Sequence, residues 1–143
     1  SAASDVYKRQ EQRSTIDYIG AVQGIPVCFD AKECVAETFP LQNIHEHQVE
    51  FMKNFEKQQG IAFILIYYSS RNILYYMRFE ELYKFWMRAQ NGGRKSFRFD
   101  ELDERFFMKF FRGCYVPYLD ALNLDLELRD ELDKTDETAY NAK

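Results

Sequence analysis

Eight consecutive apolar residues, Ile61 to Tyr68 (IAFILIYY), follow Gly60 in this chain of 143 residues. A run with no polar face suits a strand covered on both sides, so it reads as the buried centre of a sheet with helices packed on it. It is too short to cross a membrane, which takes about 20 apolar residues. No signal-peptide pattern stands at the start, so the chain is expected in the cytoplasm with no membrane partner. The length bounds the fold to one domain with a single core. With 13 Phe and 10 Tyr, that core is expected to be bulky and aromatic.

The neighbours of this run extend the pattern. Ser69–Asn72 reads as a turn, Ile73–Phe79 as the next strand, and Glu80–Gln90 as a helix with Leu82, Phe85, Trp86 and Ala89 on one face, stopped by Gly92-Gly93. Upstream, Glu33–Gln42 contains Pro40 and no clear period, which predicts a loop. Asn43 then offers an N-cap with Glu46 at capping-box spacing, for a helix over about 44–59 that ends at Gly60. On that helix Ile44, Phe51 and Phe55 form an apolar stripe with Gln48 at its middle. Asp100–Phe111 reads as an acidic-started, phenylalanine-rich helix, and the segment after Asn123 as a frayed helix or disordered tail. The expected architecture is α/β, a mixed sheet with flanking helices in the order ββαββα.

Ahead of these elements lies Thr15–Lys32, TIDYIGAVQGIPVCFDAK, which reads as a β-hairpin. β-Branched and aromatic residues flank Gln23-Gly24. Val27, Phe29 and Ala31 point to one face of the second arm, and Cys28, Asp30 and Lys32 to the other. With Gln23 and Gly24 as the two turn residues, Asp17 falls opposite Asp30 and Thr15 opposite Lys32. Like charges in directly opposed positions destabilise a hairpin. A divalent cation with hard oxygen ligands would relieve the repulsion, and Lys32 would add positive charge beside it. The competing account is an ordinary solvated hairpin face. Gln48 likewise has two readings: an amide on an apolar stripe needs a partner, and either a backbone group or the carboxylate site supplies one.

Other groups are less specific. His45 and His47 would lie about 160° apart around a helix, whereas paired helical zinc ligands need spacings of three or four, so a zinc site is not expected. Arg94, Lys95 and Arg98 interleave with Ser96, Phe97 and Phe99, and either contact DNA phosphates or form a solvated basic loop. The net charge of −4 argues against a general polyanion binder. From Asp120 onward, however, there are eight acids against three bases, which leaves sixteen bases and fifteen acids in the rest. Three cysteines, Cys28, Cys34 and Cys114, form no CxxC pair and fit a reducing compartment.

The spacing of Asp17 and Asp30-Ala31-Lys32 resembles the PD-(D/E)xK nuclease core. STIDYIGAVQGIPVCFDAKE, FPLQNIHEHQVEFM, GIAFILIYYSS and NGGRKS together resemble the RecU-type Holliday junction resolvases of low-GC Gram-positive bacteria. The resemblance implies a restriction-endonuclease-like core and a Mg²⁺-dependent endonuclease, Mn²⁺ substituting, that cuts four-way DNA junctions in recombination and repair. It implies Asp17 and Asp30 as acidic metal ligands, with Thr15 and Gln48 giving oxygens directly or through water, and Ala31 its backbone carbonyl. Lys32 is then the catalytic cation that orients water or stabilises transition-state charge. Many relatives carry glutamate where this chain has Asp30. The implied partners are branched DNA, a second copy in a homodimer, and a recombinase. Residues 1–10 resemble a translated sequencing adapter and are expected to be a non-native leader. Residues 11–123 are then a nuclease domain without its N-terminal helix, first strand and stalk, and 124–143 an acidic tail. Two other readings compete: a catalytically silent DNA- or recombinase-binding module, and a restriction-like or phage nuclease acting on duplex DNA.

Overall fold

Gln23 and Gly24 both take left-handed backbone conformations, with φ of 52° and 80°. That is the turn geometry whose twist matches two antiparallel strands, and it fixes their register. In the computed structural model, which describes residues 16–109 and 118–141, with side chains in the last helix as far as Asp136, β1 (Tyr18–Val22) therefore pairs antiparallel with β2 (Ile25–Cys34). Tyr18 stands opposite Phe29 and Val22 opposite Ile25, the register expected from the turn.

The apolar run forms β4 (Ile61–Tyr68), the middle of a five-stranded sheet ordered β1-β2-β4-β5-β7, where β5 is Ile73–Arg78 and β7 is Phe107–Lys109. β2 and β4 run parallel, with Asp30 beside Ile64 and Lys32 beside Ile66. The remaining pairs are antiparallel, so the sheet is mixed. The parallel pair requires a crossover, and α1 (Glu46–Lys57) supplies it. Helix α2 (Phe79–Gln90) follows β5 with Leu82 and Phe85 buried, as its periodicity predicts. The result is an α/β fold of the restriction-endonuclease type.

The two faces of the sheet carry different chemistry. On one, Phe29, Phe63 and Tyr76 form a stack with centroid separations of 5.1 and 4.1 Å, and α3 (Tyr118–Asn141) covers it through Tyr118. On the other, Cys28 and Asp30 are buried toward α1. A second small sheet pairs β3 (Thr38–Pro40) with β6 (Ser96–Arg98). Its Phe39 and Phe97 rings stack at 4.9 Å, and Phe97 stacks at the same distance on Phe85 of α2.

Several expectations are corrected. The segment 33–42 is not a loop, because β2 runs on to Cys34 and β3 finds β6 across the chain. Helix α1 begins at Glu46 with His45 as its N-cap, while Asn43 closes a 3₁₀ turn over Leu41–Asn43. Its buried positions are Gln48, Val49 and Met52, so the helix is rotated from the expected stripe and Phe51 is left 42% exposed. The described part of 100–111 is two 3₁₀ turns, Phe99–Glu101 and Glu104–Phe106, followed by β7. Asp103 caps the second turn by accepting from the Arg105 N–H, and its own N–H donates to the Tyr75 hydroxyl, so local side-chain bonds replace a helical ladder. Of the two readings of the segment after Asn123, a helix is the one seen, since α3 continues through it, with residues 130–136 exposed. Residues 1–15 and Cys114 lie outside the described residues. No helix among the described residues is long and apolar enough to cross a membrane.

α3 is tied down by an ionic network. Arg129 donates to Asp125 Oδ1 at 2.8 Å and to both carboxylate oxygens of Glu56, at 2.5 and 2.7 Å. The Tyr76 hydroxyl donates to Asp125 Oδ2 at 2.6 Å. Burial, then the neighbouring Asp125, pushes the Tyr76 phenol far above its ordinary pKa, so it stays a donor. The Asp125 side chain is 2% exposed, and removing its cationic partner strands a buried carboxylate. Arg129→Met is therefore expected to cost about 3–5 kcal/mol in urea denaturation. Arg98→Met, which breaks only an exposed pair with Asp100, should cost less than about 1 kcal/mol. Equal losses would contradict the anchoring role of the network.

Candidate active site

The β1–β2 ladder ends at Tyr18 and Phe29, and beyond it the two aspartates take over the hydrogen bonding between the strands. The Asp17 N–H donates to Asp30 Oδ1 at 3.2 Å, and the Ala31 N–H donates to Asp17 Oδ2 at 2.9 Å. Each carboxylate thus accepts from the opposite strand. This places Asp17 and Asp30 side by side, as the turn arithmetic predicts.

Asp30 is the buried member, 3% exposed, whereas Asp17 is open to solvent. A buried carboxylate is costly unless charged or polar donors surround it. Lys32 Nζ lies 2.9 Å from Asp30 Oδ2, and the Gln48 amide donates to the same oxygen at 3.1 Å. Lys32 reaches it because residues two apart on a strand share a face. Gln48 reaches it because α1 packs its third residue against β2. The far end of that amide is also engaged, Oε1 accepting from the His45 N–H at 3.1 Å. Helix capping and carboxylate support meet in one side chain.

Among the expected site residues, Asp17, Asp30, Lys32 and Gln48 therefore converge, while Thr15 lies outside the described residues. Arg94 and Lys95 are exposed just ahead of β6 and Arg98 at its last position, and the partners of the two arginines are acids. Arg94 stands 3.9 Å from Glu101 and Arg98 3.3 Å from Asp100. The hydrogen bond from Arg88 holds the Glu101 carboxyl down to about 2, so it stays ionised and part of the basic charge there is already answered.

The donor set suits a hard cation. Two carboxylates from adjacent strands meet at the mouth of the sheet, one of them solvent-facing. Mg²⁺ keeps several waters and needs only one or two protein carboxylates. Among the described residues there is no group of three or more His, Cys, Asp and Glu that could hold a metal. His45 is the N-cap rather than a helical residue, so the expected 160° separation does not apply. Its ring stacks on that of His47 at 5.5 Å. Burial, and secondarily Glu56, pushes the Cys28 thiol up to about 12, which leaves it protonated beside Asp30. The sequence reading missed the backbone N–H of His45. Its signal was present, since His45 and Gln48 stand at the same N-cap-to-N3 spacing as the pair Asn43 and Glu46.

The family model for Recombination protein U (RecU) matches residues 5–124. Over 116 residues the chain is 38% identical to the Holliday junction resolvase RecU of Pediococcus pentosaceus, covering 80% of this chain and 58% of that protein. Against the protein of the same name from Bacillus subtilis it is 40% identical over 115 residues, covering 80% and 54%. Against that of Bacillus pumilus it is 47% identical over 95 residues, covering 66% and 45%. The chain spans about half the length of the curated relatives it matches. The matched segment contains both aspartates, the lysine, and the helix that supports them, and the chain belongs to the RecU family.

Proposed function

We propose that this chain is the nuclease part of a Mg²⁺-dependent endodeoxyribonuclease, with Mn²⁺ able to substitute, that cuts four-way DNA junctions during recombination and repair in the cytoplasm. The observation that carries the reading is the meeting of Asp17, Lys32 and Gln48 on the buried Asp30 carboxylate. It stands in a chain whose relatives bear the name Holliday junction resolvase. Asp17 and Asp30 would hold the cation, with Thr15 and Gln48 giving oxygens directly or through water. When bound there, a divalent cation supplies Lewis acidity and a nucleophile from water at neutral pH.

The remaining steps belong to the chain's own groups. Asp17, exposed, and Asp30, buried, would be the two carboxylates that hold the cation. Lys32, once its ammonium turns from Asp30, presents positive charge to the non-bridging oxygens of the phosphate, where negative charge grows in the transition state. Arg94, Lys95 and Arg98 supply sequence-independent contacts to the DNA backbone in competition with Glu101 and Asp100. Two symmetric cuts require two active sites, so the working form is a homodimer.

A synthetic four-way junction and a linear duplex of the same sequence, each with Mg²⁺ and with the chain carried in a full-length RecU context, test the substrate. Paired nicks confined to the junction are expected. Equal cleavage of the duplex would assign the chain to a restriction-like nuclease, and no cleavage of either to a binding module. For Lys32→Ala, junction affinity should stay nearly unchanged while kcat falls about 10²–10³-fold, because the group acts mainly in the transition state. Weaker binding with unchanged cleavage per bound complex would make Lys32 a phosphate clamp instead.

A further inference from the structure

We infer that the groove between α2 and the turn ahead of α1 takes one nucleobase of the bound DNA strand, stacked on Trp86; the inference rests on the DNA-nuclease reading above. One wall is Pro40, Leu41 and Ile44, from the end of β3 and the turn that leads to α1, and the other is Trp86 and Ala89 of α2. The space between them is about 430 Å³, within the range of small-molecule sites. It stays open because Ala89, three residues after Trp86 on the same side of the helix, has too short a side chain to fill it. Leu41 and Ile44 are buried, whereas Trp86 is half-buried and lines the groove.

The polar groups around the groove select its occupant. The exposed amides of Gln42 and Gln90 also line it, and each both donates and accepts, as the edge of a base requires. Lys95 stands at the rim with Arg94 beside it in sequence, and both cations are exposed. A flat ring with hydrogen-bonding edges, carried on a phosphate chain, answers the indole, the amides and the cations together. An acyl chain would answer the indole alone. Stacking on an aromatic side chain accepts any base, because every base has a π-face. The groove is also tied to the candidate active site. The Leu41 N–H donates to the Lys95 carbonyl at 3.0 Å, which joins the turn to the basic loop. From Ile44 the chain takes four residues, at most about 14 Å, to reach Gln48, which lies against Asp30. A strand held at the paired aspartates therefore passes within a few nucleotides of the groove. A base that leaves its stack there fixes the register of the strand over the site, and leaving costs least where pairing is already broken, as at a junction crossover.

Trp86 is the only tryptophan of the chain, so indole fluorescence reports on this groove alone. The experiment titrates the chain with a four-way junction carrying fluorescein at the end of one arm, without divalent cation so that no strand is cut. Anisotropy reads DNA binding, and the indole reads the base. A stable abasic residue, moved one position at a time through the nucleotides next to the crossover, locates that base. The intact junction should quench the indole, and one abasic position should remove the quenching and weaken binding about tenfold. Ala89→Leu, with native far-ultraviolet circular dichroism, should do the same to the intact junction, because the added carbons fill the groove. Trp86→Leu should bind the intact junction about tenfold more weakly and lose nothing further on the abasic one, a non-additivity that a purely structural tryptophan would not produce. Anisotropy that rises with no change in the indole, or quenching that every abasic junction retains, would overturn the inference and leave the nuclease reading in place. So would equal quenching by poly-glutamate, which would make the groove a peptide site. No rise in anisotropy would overturn DNA binding by this chain, and the inference with it.

Discussion

A carboxylate buried in the middle of a sheet governs this structure. Asp30 occupies the central position of β2, next to the wholly apolar β4, where an aliphatic residue would pack at no electrostatic cost. Keeping an acid there obliges three parts of the chain to supply donors: the start of β1 through the Asp17 N–H, β2 itself through Lys32, and the first turn of α1 through Gln48. A buried ionic group of this kind is poor evidence of a gain in stability, because hydrophobic replacements of equal volume are often neutral or better. Its retention makes sense as chemistry. The site then depends on the relative placement of two strands and a helix, and the aromatic packing behind β2 holds that placement.

The opposite face supplies the rigidity. The stack of Phe29, Phe63 and Tyr76 lies directly behind the strand that bears Asp30, and α3 closes over it through Tyr118 and the buried Asp125. Arg129 then joins α3 to Glu56 on α1, while Glu56 also accepts from the Ala62 N–H at the start of β4. The helix that positions Gln48 at its N-terminal end is therefore secured near its C-terminal end by a separate ionic contact. Both contacts act on α1, which makes this helix the link between the stability of the domain and the geometry of its site.

What was legible in the sequence is what local chemistry dictates. Gln23-Gly24 sets the hairpin register, so the opposition of Asp17 and Asp30 followed from the turn alone. The apolar run at Ile61–Tyr68 and the stripe on α2 were visible for the same reason. Misreadings arose where distant partners decide. Thr38–Pro40 becomes a strand only because Ser96–Arg98 pairs with it, and three-residue strands carry no period. The rotation of α1 was misread because Phe51 is apolar but exposed, while Val49 and Met52 take the buried positions beside Gln48. The acidic C-terminal segment looked wholly solvated, yet Asp125 is held inside by Tyr76 and by Arg129, whose other carboxylate partner, Glu56, is far away in sequence. The glutamine at the middle of the apolar stripe was itself the sign that a polar partner lay opposite.

The central claim, that the paired aspartates form a cation site with Asp30 as its buried ligand, is tested most directly by anomalous diffraction from crystals grown with Mn²⁺. The account predicts one strong peak about 2.1 Å from carboxylate oxygens of both Asp17 and Asp30, with Lys32 turned away. A peak that touches neither aspartate, or its absence there when Mn²⁺ is bound elsewhere, would contradict it.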